Sequence, residues 1–312
     1  MAKKYTGIIS ALSLPFFENQ EIDQRGFRRL ISWVASHDGI TGVLTNGHTG
    51  EVYALLPEER AEVTRIAVDE LRGKMPVISA INCEGIREAQ HHACMARDAG
   101  AAGVLVMPPH MWLRFGMKIE HVTDYFKAIY EASGLDMVVH VYPAWTRASY
   151  TTEVLLALAA QPGVKAFKIG TRDMNKYGAD LRALRAATPE ASLLTCHDEY
   201  LLASMVQGVD GALVGLASFI PDLIISLWRA VLANDFAGAV HMQEMINPLK
   251  DIVYGRGEPS SDAHSRMKYA MYLAGLLDRP VVRDPIRQPS EAERDMIHQA
   301  VQGASRLALK SA

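Results

Sequence analysis

Eight short runs rich in Val, Ile and Leu recur along the chain with longer amphipathic stretches between them, and this repeat constrains the fold more than any other feature. The runs are Gly7 to Leu14, Gly42 to Asn46, Pro76 to Asn82, Gly103 to Met107, Met137 to Tyr142, Val164 to Ile169, Ser192 to Cys196 and Gly211 to Leu216. Each has the length of a strand, and unbroken hydrophobicity suits parallel strands buried on both faces. The stretches between them have helical spacing. Asp23 to Ser36 carries Phe27, Leu30, Ile31 and Val34 three and four residues apart, and Pro57 to Leu71 opens with Glu58 and Glu59, where the helix dipole favours negative charge. Ile86 to Ala99 stops before Gly100, and Ile119 to Ala132 stops before Gly134, as C-terminal capping predicts. Strand-then-helix units build either a closed (β/α)8 barrel or an open doubly wound sheet. Eight units within roughly 220 residues favour the α/β (β/α)8 TIM barrel.

The pattern changes after Pro221. Only helical periodicity follows, in Leu223 to Leu232, Phe236 to Val253, His264 to Leu277 and about Ser290 to Leu307, with Pro280, Pro285 and Pro289 marking an extended connection before the last. The sequence therefore divides into a barrel over 1–221 and a C-terminal helical appendage over 222–312.

Charge narrows the partners. The 32 Lys and Arg against 35 Asp and Glu give a net charge of -3, with no basic run of the kind that neutralises phosphates, so nucleic acid is not an expected ligand. No segment has the charge-free length of a membrane span. Lys3 and Lys4 precede an apolar stretch from Ile8 to Phe17, but Pro15, Glu18 and Asn19 interrupt it, and a first buried strand explains it better than a signal peptide. The cysteines Cys83, Cys94 and Cys196 form no paired spacing and read as free thiols of a reducing compartment. A cytoplasmic protein with no membrane partner is expected.

In such a barrel, side chains at the carboxyl ends of strands reach the active-site mouth. Strand two ends in Gly47-His48-Thr49-Gly50-Glu51, strand five in Tyr142-Pro143, and strand seven in Cys196-His197-Asp198-Glu199; strand six carries Lys168 within Ala166-Phe167-Lys168-Ile169-Gly170. An ammonium loses its hydration inside an apolar strand, which lowers its pKa and frees the amine as a nucleophile. The alternative is a lysine that reaches solvent or pairs with Asp198. Tyr142 could relay protons, or could be a core tyrosine bonded to backbone. The glycine-bracketed turn could aim N–H groups at a carboxylate, or be an ordinary strand-to-helix turn.

Taken together, Gly47-x-x-Gly50-Glu51, Tyr142, Lys168 and the stretch from Asp198 through Gly208, Gly211 and Gly215 resemble the dihydrodipicolinate synthase and N-acetylneuraminate lyase family. The resemblance extends to Gly7 through Pro15 at the start. At the end it takes in Lys268 to Leu277 ahead of Val281-Val282-Arg283-Asp284-Pro285. It implies a (β/α)8 barrel with C-terminal helices, assembled as a homotetramer (a dimer of dimers), and class I aldolase chemistry or a related lyase or hydratase reaction. It further implies that Lys168 attacks the 2-keto carbon of pyruvate or another 2-oxo acid and that Tyr142 shuttles the proton. The groups around Gly47, His48, Thr49 and Gly50 would hold the carboxylate, with the backbone near Leu213 lining the other side. The protonated imine is the electron sink, so no metal and no organic cofactor is expected.

Several positions depart from the family pattern. His48 stands where threonine is common, so His48 with Tyr142 is expected to replace the hydroxyl relay of the synthase branch. Pro143 replaces an asparagine, and Pro109 and His110 occupy the place of a tyrosine pair. Arg147 falls where the synthase branch keeps an arginine for a second carboxylate. Asp198 and Glu199 match a pair that contacts sugar hydroxyls in the lyase branch, although Cys196 replaces a glycine there. His48, His110, His140 and His197 have no ligand-type spacing, so a metal site is not expected; His110 is expected to contact substrate, and His197 is either another substrate contact or a polar rim residue. His91 and His92, on a helix with Cys94, read as surface or interface positions. The leading function is a Schiff-base lyase that cleaves or condenses pyruvate or a related 2-oxo acid. A hydratase or dehydratase using the same imine is the second, and a non-catalytic 2-oxo acid binding protein the third.

Overall fold

The computed structural model describes residues 4–142, 147–199, 201–255 and 260–308, with side chains to 304. Pro143 lies outside the described residues.

The strands are β1 (Gly7–Ala11), β2 (Ile40–Thr45), β3 (Val77–Ile81), β4 (Gly103–Val106), β5 (Asp136–Val141), β6 (Val164–Ile169), β7 (Ser192–Thr195) and β8 (Gly211–Val214). All pair in parallel, in chain order, and β8 closes on β1. A closed barrel leaves no unpaired edge, and burial of its strands on both faces explains their unbroken apolar runs. Closure itself needs glycine: a Cβ on Gly211, opposite Gly7, would lie 2.0 Å from the Gly7 carbonyl oxygen.

Helices wrap the barrel: α1 (Gln24–Ala35), α2 (Pro57–Leu71), α3 (Ile86–Asp98), the short α4 (Met111–Phe115), α5 (Ile119–Ser133), α6 (Thr152–Ala159), α7 (Met174–Ala187) and the short α8 (Leu201–Met205). Their starts follow local chemistry. Asp23 accepts the Gly26 N–H ahead of α1, Thr151 the Val154 N–H ahead of α6, and Asp173 the Asn175 and Lys176 N–H groups ahead of α7. After β8 come α9 (Pro221–Leu232), which packs on β1 and α8, and then α10 (Phe236–Tyr254), α11 (Ala263–Leu273) and α12 (Glu291–Ala308), with α10 packed on both α9 and α12 and α11 packed on α12. Among the described residues no helix is long and apolar enough to cross a membrane.

Two boundaries differ from the sequence reading. The first strand ends at Ala11 rather than Leu14, because the chain leaves the barrel to make its own antiparallel bridge between Phe16 and Ile22. The eleventh helix ends at Leu273 rather than Leu277. Gly275 turns left-handed at φ 75°, and the Leu276 N–H folds back 2.9 Å onto the Met271 carbonyl.

Candidate active site

Lys168 sits one residue from the carboxyl end of β6, in register with His140 of β5 and Leu194 of β7. Alternation along β6 turns Phe167 and Ile169 to the helices and Lys168 to the barrel interior, where it is in the electrostatic field of Cys196, Asp198, Arg172 and Glu199. Burial pulls its amine below the ordinary lysine range, with Arg172 pushing the same way; Cys196, Asp198 and Glu199 oppose. Lys168 makes no ion pair or hydrogen bond with another described residue. Asp198 does not neutralise it, because that carboxylate is occupied. Its Oδ1 accepts the Leu216 N–H at 2.8 Å, and its Oδ2 accepts the Gly215 N–H at 3.0 Å and the Tyr254 hydroxyl at 3.3 Å. Burial nonetheless pushes its pKa up to about 6.

Next to the lysine, His140, Tyr142 and His48 form an aromatic cluster. The Tyr142 ring stands edge-on to His140 at 5.0 Å, and the Tyr142 hydroxyl is 3.3 Å from Nε2 of His48. Burial, reinforced by the Glu84 carboxylate, holds the phenol well above its usual pKa, so it keeps its proton. Burial pushes His48 down to about 3, helped by the charges of Lys168, His264 and His110. His140 is driven well below the usual histidine range by burial and Lys168. A neutral imidazole facing a neutral phenol can pass a proton in either direction.

The glycine turn is built from behind. Asn46, left-handed at φ 57°, is pinned by its side-chain amide to the Arg60 carbonyl at 2.9 Å and to the Ser79 hydroxyl at 3.0 Å. Residues His48–Gly50 then form a single 3-10 turn between Gly47 and a left-handed Glu51. The N–H groups of Gly50, Glu51 and Val52 bond back to Gly47 and His48, whereas those of His48 and Thr49 find no acceptor among the described residues. The Thr49 hydroxyl faces Gly215, where a Cβ would come within 2.9 Å of it. Leu213, wholly buried, pairs with Ile9 across the closing seam.

The remaining expected residues are dispersed. His110 is exposed at the start of α4, with Nδ1 3.6 Å from Glu84, whose carboxylate also accepts the His110 and Met111 N–H groups. Arg147 is exposed and donates to the Arg114 carbonyl at 2.9 Å. Glu199 pairs with Arg172 at 2.6 Å. Two histidines differ from expectation. His197 is no rim residue: it is fully buried, with its ring 5.1 Å from that of Tyr177 on α7. His92 is buried rather than at the surface, because it packs under Arg60, whose Nη1 is 3.4 Å from His92 Nε2. Cys83, Glu88 and His92 are the described side chains that lie close enough to share a cation, but that guanidinium would repel one.

The sequence reading missed Tyr254 and His264. Tyr254 ends α10 and reaches Asp198; His264, on α11, lies in the field of Lys168 and His48 and has a buried Nδ1 without a hydrogen-bond partner among the described residues. Neither carries a local sequence signal, because both come from helices that follow the barrel.

A closed parallel barrel whose mouth holds a half-buried lysine with no ion-pair or hydrogen-bond partner among the described residues, together with the Tyr142–His48 pair, fits an aldolase-like lyase. The chain belongs to the dihydrodipicolinate synthetase family, whose model matches residues 4–304. It is 30% identical to a 4-hydroxy-tetrahydrodipicolinate synthase of Nitrobacter hamburgensis over 283 residues, 91% of each chain. It is 27% identical to an N-acetylneuraminate lyase of Enterobacter sp. over 292 residues, 93% of this chain and 94% of the other. Among solved structures, the dihydrodipicolinate synthase of Bacteroides thetaiotaomicron superposes with a TM-score of 0.87 at 25% identity, covering 97% of this chain and all of the other. That of Aquifex aeolicus superposes with a TM-score of 0.86 at 23% identity, over 96% and 98%.

Proposed function

We propose that this lyase forms a Schiff base between Lys168 and a 2-oxo acid and makes or breaks the C3–C4 bond of that acid, with pyruvate as one partner. The observation that carries the reading is the Lys168 amine, half-buried and without a carboxylate partner among the described residues, beside the Tyr142–His48 pair. The neutral amine adds to the C2 carbonyl, and loss of water from the carbinolamine gives the protonated imine. Breaking C3–C4 sends its electron pair into the imine nitrogen, while the C4 hydroxyl proton leaves to the relay. The enamine that remains takes a proton at C3, and hydrolysis releases pyruvate and restores Lys168. The imine nitrogen is the electron sink, so the route needs neither metal nor organic cofactor.

The N–H groups of His48 and Thr49, without an acceptor among the described residues, supply donors for the substrate carboxylate. His48, Pro109 and His110 stand in place of the hydroxyl relay of the synthase branch, which favours an aldehyde partner different from that of the synthases. Incubation with pyruvate and borohydride followed by mass spectrometry tests the reading: one pyruvate-derived mass on Lys168 is expected, and an unmodified lysine would remove it. Release of pyruvate from 2-oxo-3-deoxy sugar acids separates cleavage from dehydration, which keeps the carbon chain whole.

His48 gives a pH signature. A histidine held near 3 stays neutral above about pH 5, so His48 should add no inflection near the usual histidine pKa of roughly 6.5 to the exchange of pyruvate methyl protons into deuterium oxide, and any limb near pH 6 belongs to Asp198 and persists without His48. His48→Gln should lower the exchange rate without changing the shape of the profile. An acidic limb present in the wild type and absent in His48→Gln would show that His48 titrates.

A further inference from the structure

Glu51 follows the carboxylate-binding turn directly and has no access to solvent, yet its side chain points toward the C-terminal helices and not to the barrel mouth. One oxygen forms an ion pair with Lys268 of α11, itself fully buried, and the other accepts the Arg283 N–H at 2.9 Å. Lys268 also donates to the Val281 carbonyl at 2.9 Å and lies 4.1 Å from the centre of the Phe16 ring. The Arg283 guanidinium covers the same ring at 4.7 Å, bonds the Gln20 and Ala54 carbonyls at 2.8 and 2.9 Å, and grips Glu59 of α2 through two bonds of 2.6 Å. Burying such a pair costs desolvation about equal to its attraction, so stability alone is a weak reason to place it here. Its position is more telling. Glu51 is left-handed at φ 55°, a conformation that non-glycine residues seldom adopt without outside support, and it ends the turn that leaves the His48 and Thr49 N–H groups unpaired.

We propose that Glu51 is a positioning residue, clamped by Lys268 and Arg283, through which the C-terminal helices set the geometry of the turn that receives the substrate carboxylate. The inference rests on the reading of that turn given above. It predicts a loss confined to ligands that carry a carboxylate, which a merely structural role would not produce. Pyruvate and acetone, which share the ketone and differ in the carboxylate, are the probes, and borohydride trapping on Lys168 is the readout. In Lys268→Met and Glu51→Gln the pyruvate concentration for half-maximal trapping should rise about tenfold, with maximal trapping little changed, since one misplaced charge-assisted donor pair is worth about that factor. Acetone trapping should stay within about twofold of wild type. Glu59→Gln, at the half-exposed end of the clamp, leaves the buried pair intact and should shift pyruvate the same way by about threefold even if the buried variants fail to fold. Variants with wild-type circular dichroism and an unchanged pyruvate midpoint, or with equal losses on both ketones, overturn the clamp. A wild-type protein that traps neither ketone overturns the Schiff-base reading, and the clamp with it.

Discussion

Lys168→Arg should abolish borohydride trapping of pyruvate and lower methyl-proton exchange by about four orders of magnitude or more, because a guanidinium stays charged at every accessible pH and cannot add to a carbonyl. The substitution keeps a cation in the mouth, so the field on His48 and His140 persists and only the nucleophile is lost. Lys168→Met should be equally inactive but should differ in stability. Burial lowers the folded-state pKa of Lys168, so the protonated lysine costs stability below that pKa, and the cost fades as pH rises toward the unfolded value. The gain of Lys168→Met, on the order of 1 kcal/mol, should therefore be larger at pH 6 than at pH 10 in urea unfolding. Exchange persisting in Lys168→Arg at more than about a hundredth of the wild-type rate would show that another group activates the ketone.

The barrel was legible because strands buried on both faces have no polar side to hide, so their spacing alone implied eight parallel strands. Lys168 was legible for a related reason, as the charge on the same face of β6 as Val164 and Ala166, whereas Lys165 falls on the opposite face and is exposed. His197 was misjudged because its neighbours Asp198 and Glu199 suggested a polar rim, whereas its side chain packs on Tyr177. Arg147 matched a spacing, but its side chain answers to the Arg114 carbonyl. The contributions of Tyr254, His264, Lys268 and Arg283 were not legible as chemistry. Each arrives from helices or connections far along the chain, and amphipathic periodicity says which face of a helix is buried without saying what it is buried against. Glu51 shows the limit most clearly: it belongs to the turn by sequence, and its partners are more than 200 residues away.

Tyr142→Phe should lower methyl-proton exchange by about 10²- to 10³-fold while leaving the trapped adduct on Lys168 at the same final yield. The ring would remain packed on His140, and among the described residues the hydroxyl removed has the His48 nitrogen at 3.3 Å and the Met107 sulfur at 3.8 Å as its partners, so unfolding midpoints should change little. A phenol that keeps its proton and an imidazole that stays neutral are each poor at moving a proton alone, but together they accept one at nitrogen and deliver one from oxygen. If they work as one relay, His48→Gln should cost most of its rate in the wild-type background and almost nothing in Tyr142→Phe, because the second removal interrupts a path already cut. Additive losses in the double variant would place the two groups on separate steps. A fall of less than about threefold in Tyr142→Phe alone would take the phenol out of proton transfer and leave it a wall of the pocket.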